Sequence, residues 1–146
     1  MKRKIKFRVW DEESKKMYCG CDAIVTFSGY MEEVYVRNKN TVDELIDYKL
    51  MQYTGLTDSN DIEIYEGDIL IYRNNKFQIK FEVGSFMLVR ISQETDMYEL
   101  FENCWNDDVY PISQYWWNGD LDSNMLDGLE VIGNIYENPE ILKNLC

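Results

Sequence analysis

The sequence predicts a mainly β protein with minor α, folded around a small barrel or roll. Phe77-Gln78-Ile79-Lys80-Phe81-Glu82-Val83 alternates apolar and polar at every step, and Lys4 to Trp10 does the same. That two-residue period is the pattern of a half-buried strand. Between such runs stand short clusters of Gly, Asn, Asp and Ser, which end strands and turn the chain. Helical signals are confined to two brief stretches, and at 146 residues the chain matches one ordinary domain that can bury a core without disulfide or metal staples.

In chain order, the first strand places Ile5, Phe7 and Val9 on one face and the cations Lys4, Lys6 and Arg8 on the other. Asp11 to Lys16 turns it into a second arm, Met17 to Cys19. Ala23 to Phe27 and Glu33 to Val36 are two further short strands, broken at Ser28-Gly29. Thr41-Val42-Asp43-Glu44 has the form of a helix-capping box, with the acid three residues after the cap, and predicts a helix over 42–48.

Leu50 to Tyr53 returns to extended structure, Thr54 to Asp61 is a polar loop, and Ile62 to Tyr65 alternates again. Glu66-Gly67-Asp68 is a structural corner, where Gly supplies positive φ and Asp bonds nearby backbone. Ile69 to Tyr72 leaves the corner as a strand, Asn74-Asn75 makes a two-residue turn, and Phe77 to Val83 follows with Phe77, Ile79, Phe81 and Val83 inward. Gly84-Ser85 leads to Phe86 to Ile91, completing a three-stranded meander with one apolar face. From Gln93 to Gly128 the pattern weakens. Leu129 to Tyr136 is a last strand with a bulge at Gly133, and Asn138-Pro139 opens a terminal helix, Glu140 to Leu145. The organisation is a single domain with a hairpin and helix lobe over about 1–48, a barrel core over about 49–136 and a short helix over 139–145.

Composition excludes several classes. With 45% hydrophobic and 14% aromatic residues, the chain holds enough apolar surface to offset its conformational entropy. Net charge is −12, yet the first eight residues carry five cations and no acid, leaving −17 from Val9 onward. Such a surface repels phosphate backbones, so nucleic acid is not the expected partner. No signal-peptide core follows the basic start and no apolar run reaches 18 residues, so a cytoplasmic protein without a membrane anchor is expected. Cys19, Cys21, Cys104 and Cys146 offer one C-x-C pair and no His. That is no zinc spacing, and reduced, partly buried thiols are expected, with no cofactor.

Three segments, IKFRVWDEESKKMY at the start, LMQYTGLTDSNDIEIYEGDIL in the middle and LEVIGNIYENPEIL at the end, resemble the YopX family of phage and prophage proteins. The resemblance implies a mostly β fold with an SH3-like barrel formed by the central and final segments, and a bacterial cytoplasmic setting. It implies no reaction and carries no catalytic residue.

Among groups that carry chemistry, Asp120-Leu121-Asp122-Ser123-Asn124 opens like a calcium loop. Met125 and Val131 stand where such a loop needs its glycine and its bidentate carboxylate, so it reads as an Asp-rich turn. Glu63, Glu66 and Asp68, and the pair Asp107-Asp108, suit acid and base work only if burial separates their pKa values. Without His the commonest general base is missing, and no enzyme is expected. Trp105, Tyr115, Trp116 and Trp117, with Asp107, Asp108, Asp120 and Asp122 nearby, form the candidate interaction surface, because Trp and Tyr are favoured interface anchors.

The function expected is therefore a non-enzymatic module, homo-oligomeric or not, that binds an unidentified host or phage protein. A DNA mimic that occupies a host enzyme's nucleic-acid groove is the alternative carried by the acidic surface. Nucleic-acid binding through the basic first strand is a third.

Overall fold

The computed structural model describes residues 4–72, 74–91, 109–112, 125–126 and 128–143. The fold is mainly β, and the chain clusters into two compact units, Lys4–Tyr53 and Thr54–Cys146. Among the described residues no helix is long and apolar enough to cross a membrane.

In the smaller unit, β1 (Phe7–Asp11) lies between β2 (Lys16–Cys19) and the first half of β6 (Tyr48–Thr57), antiparallel to both. The β1–β2 turn is closed by Asp11, whose side chain accepts from Glu13 N and Ser14 Oγ while Lys15 N donates to Asp11 O. A 3-10 turn, Gly20–Asp22, leads to a second sheet of β3 (Ala23–Ser28), β4 (Met31–Asn38) and β5 (Thr41–Leu45), in that order. Val9, Trp10, Tyr18, Val34, Val36, Met51 and Tyr53 are buried here, and the Tyr18 hydroxyl donates to Asn38 Oδ1 at 3.1 Å.

Three expectations are corrected in this unit. The cationic outer face of the first strand is cut short: Lys4 and Lys6 are exposed, but Arg8 is buried, its Nε donating to Met51 Sδ at 3.4 Å, while Ile5 is 65% exposed. Arg8 to Asp11 are all buried, so β1 is covered on both faces, and a strand covered on both faces takes even its charged residue inside. The helix over 42–48 is replaced by β5, because Asn38↔Thr41 register closes a two-residue hairpin that pairs Thr41–Leu45 with β4. Thr41 Oγ1, the predicted helix cap, donates instead to Asp43 Oδ2 at 3.1 Å, with Asn38 O 3.5 Å away, and Asn38 Nδ2 reaches the same Asp43 oxygen. Cys19 and Cys21, expected to be partly buried, are exposed, because they fall at the end of a short strand and in the turn after it.

The larger unit begins in the second half of β6, where Thr54–Thr57 is strand rather than the expected loop. β7 (Glu63–Tyr65) follows, then β8 (Asp68–Tyr72), β9 (Asn75–Glu82) and β10 (Ser85–Arg90), which form the predicted meander. With β11 (Val109–Pro111) and β12 (Glu130–Asn134) they make a five-stranded antiparallel sheet in the order β11-β10-β9-β8-β12. Two turns lie one residue before their predicted places. Asn74 takes φ 65°, and Val83 and Gly84 both have positive φ, the backbone that a two-residue hairpin with matching twist requires. Val83 is consequently 70% exposed rather than inward, and Phe81, 51% exposed, lies edge-on to Phe86 with ring centroids 5.1 Å apart.

The predicted bulge is present, the β8–β12 register shifting between Val131 and Gly133. The terminal helix α1 is present over Glu140–Lys143, and the rest of its expected span lies outside the described residues. The core of this unit is Ile64, Leu70, Phe77, Ile79, Leu88, Ile112, Leu126 and Leu129, each side chain contributing roughly 1.5–3 kcal/mol on burial. Ile112 and Leu126 come from the region where the sequence shows no period.

Candidate functional site

Three buried polar side chains organise the larger unit, each accepting from backbone amides. Asp58 is fully buried. Its Oδ1 accepts from Asn60 N at 2.8 Å and Ile62 N at 2.9 Å, and its Oδ2 accepts from Val131 N at 2.8 Å. Ser59 adds two bonds to Leu129 O, from its amide and its hydroxyl, both 2.9 Å. The loop of the central segment is thereby fastened to the start of the final one, since an ionised carboxylate inside protein is stable only when its lone pairs are filled.

Asp68 Oδ2 accepts from Tyr65 N at 2.8 Å and closes the corner. Gly67 there has φ 83°, with its amide donating to Ile79 O and its carbonyl accepting from Ile135 N. Asn134 Oδ1 takes the amides of Tyr136 and Glu137, while its own amide donates to Asn138 Oδ1 at 3.2 Å. The Asn138 side chain thus reaches back to β12. These arrangements bind strands together, and the acids with the deepest burial have their oxygens engaged by N–H groups. Among the described residues no group of three His, Cys, Asp or Glu is placed to hold a metal ion.

Of the residues predicted for the site, Glu66, Gly67 and Asp68 form the corner, with Asp68 buried and Glu66 half-buried. Trp105, Tyr115, Trp116, Trp117, Asp107, Asp108, Asp120 and Asp122 lie outside the described residues. The surface that the structure does display is one sequence reasoning missed, on the β3–β4–β5 sheet.

Cross-strand register places Tyr35 opposite Ile24 on one side and Glu44 on the other, and Arg37 opposite Val42. Since side chains alternate faces, Glu33, Tyr35 and Arg37 of β4 share one face with Val42 and Glu44 of β5. Val34 and Val36 occupy the opposite, buried face. Val42 is 57% exposed, and Ile46, in the bend just after β5, is 95% exposed. The Tyr35 hydroxyl donates to Glu33 Oε2 at 2.9 Å. That bond, with the nearby charges of Glu33 and then Glu44, raises the Tyr35 pKa above its ordinary value. Tyr48 is raised too, first by burial and then by its 2.8 Å bond to Glu32 Oε1.

The family model described as YopX protein matches residues 6–143. No curated protein matched the sequence. Among solved structures, protein EF1440 from Enterococcus faecalis is similar at 26% identity with a TM-score of 0.54, over 97% of this chain and 99% of that one.

Proposed function

Since this chain belongs to the YopX protein family, we propose that it is a non-enzymatic accessory module of phage or prophage origin, working in the bacterial cytoplasm by engaging another protein. One observation carries the reading. The outer face of the β3–β4–β5 sheet exposes Val42 beside Glu33 and Glu44, and the bend after β5 exposes Ile46, apolar anchors with a charged surround, which is the make-up of a protein contact. The engagement of Asp58 and Asp68 by backbone amides supports the non-enzymatic half. Capture from bacterial lysate with the intact protein and with Ile46→Asp tests it. A partner that rebinds in purified form to the first and is lost from the second supports the reading. A monodisperse protein that recovers nothing at saturating concentration removes it.

A second reading, an acidic mimic of DNA, is favoured by charge distribution. Residues 54–146 hold 18 acids against five cations, while residues 4–53 hold nine against eight. Competition with duplex DNA for a host enzyme, weakening steeply with salt, is its expected signature. Binding of nucleic acid through the first strand draws less support, because Arg8 is buried.

A further inference from the structure

We infer that the edge of β5 accepts an extended segment of a partner protein as a fourth strand, and that the segment carries apolar, cationic and apolar side chains at alternate positions. The inference rests on the binding-module reading above and specifies its partner. Three features combine to give the pattern.

First, β5 is the terminal strand of its sheet and, among the described residues, is paired by β4 alone. An edge of this kind presents unpaired backbone donors and acceptors, to which an extended peptide adds by main-chain hydrogen bonds. Natural edges are often blunted by Pro, by a bulge or by lysines. Thr41-Val42-Asp43-Glu44-Leu45 has none of these, its register with β4 is unbroken over five pairs, and its first four residues are exposed.

Second, the outward face beside that edge has a fixed order. Val42 and Glu44 are successive residues of one face, and Ile46 follows two positions on, at the bend. Directly opposed side chains in neighbouring strands stand about 4.5–5.5 Å apart between Cβ atoms. A strand laid on β5 therefore sets one of its own outward residues beside Val42, one beside Glu44 and one beside Ile46. Apolar beside apolar and cation beside carboxylate gives apolar–x–cation–x–apolar, a pattern that reads the same for either strand direction.

Third, the charge at the centre is not isolated. Tyr35 is paired with Glu44 in the register and bonded to Glu33, two residues before it on β4, and its phenol feels both carboxylates. A cation beside Glu44 meets an acidic pair and an aromatic ring, with Arg37 the sole cation on that stretch of β4 and β5 face. A second copy of this chain is the less suitable occupant. Its β5, Thr41–Leu45, holds no cation to set beside Glu44, whereas a basic segment does.

The probe is the capped heptapeptide Thr-Val-Thr-Lys-Thr-Val-Thr, titrated into the intact protein and followed by backbone amide NMR shifts and by affinity. Its controls are the same peptide with Glu for Lys, and the Lys peptide N-methylated at its three central residues. Glu33→Gln/Glu44→Gln is compared with Glu130→Gln/Glu140→Gln, which removes the same charge from the larger unit. Gln at position 33 keeps an acceptor for the Tyr35 hydroxyl.

The expected result is shifts concentrated in Thr41–Leu45 and a Kd raised about threefold or more in the first double variant, as the loss of one surface ion pair allows. The second double variant should stay within about twofold, and neither control peptide should bind. Equal losses in both double variants, binding that survives N-methylation, or shifts away from β5 would each overturn the inference. The two readings separate cleanly. A captured partner that still binds Glu33→Gln/Glu44→Gln leaves the binding module standing and removes strand addition. Peptide addition at β5 with no partner captured does the reverse.

Discussion

An Asp58→Asn variant changes one heavy atom and two hydrogen-bond roles. The carboxamide oxygen can serve Asn60 and Ile62 or Val131, but not both sides, and its NH2 group then faces a backbone N–H. A buried donor left without an acceptor costs about 1–3 kcal/mol, and charge-assisted bonds are lost as well. The expected destabilisation is about 2–4 kcal/mol, read as a lower urea midpoint at unchanged slope. Tyr35 makes a second residue-scale prediction. Its folded pKa lies above the ordinary 10.0 because the fold favours the neutral phenol bonded to Glu33. Any stability it contributes is therefore complete below pH 10 and falls as pH rises through the folded value. In a titration followed by tyrosine Cζ NMR, the Tyr35 signal should ionise at higher pH than free tyrosine, and Glu33→Gln should move it back down. Ionisation at the ordinary value in the unaltered protein would contradict the bond.

The bulge in β12 depends on a close approach between two elements. A Cβ on Gly133 would stand 2.6 Å from Asn138 Oδ1, so Gly133→Ala must displace the side chain that accepts from Asn134 N. A loss of about 1–3 kcal/mol is expected from such overpacking. Asn138→Ala removes both the obstruction and the bond, so in urea denaturation the double variant should lose less than the two singles together, by about 0.5 kcal/mol or more. At the corner before β8, Gly67→Val forces a β-branched residue to φ near 83° and should cost about 1–3 kcal/mol or more, with a matching fall in melting temperature. The elements that could be read from sequence are those whose signal is local. Phe77–Glu82 shows its period in six residues, and Gly133 and Gly29 mark their own irregularities. Thr41–Leu45 could not be read this way, because its capping pattern is local while the β4 pairing that overrides it is set by the Asn38–Thr41 hairpin. Arg8 looked like surface since cations usually are, and only the two strands flanking β1 reveal that it is inside. Asp58 sat in what looked like an ordinary polar loop, and nothing within ten residues announces Val131.

At the scale of the molecule, charge is divided unevenly, with the acid excess in residues 54–146. Like charges crowded on one unit oppose compaction, and salt shortens their reach from about 20 Å at 20 mM to about 6 Å at 300 mM. Melting temperature should accordingly rise by about 2–5 °C over that range in calorimetry. A fall would mean that attractive pairs outweigh repulsion. The Asp58–Val131 bond also spans the chain in time. Its two partners are 73 residues apart, a stretch that a ribosome making about 5–20 residues per second needs roughly 4–15 s to synthesise. For that interval the emerging Asp58 has only Asn60 and Ile62 to hold it, β8 lacks its β12 neighbour, and Ser59 lacks Leu129. The nascent larger unit thus waits with an open flank, so slow translation before position 129 lengthens the period in which chaperones or another unfinished copy can pair with it.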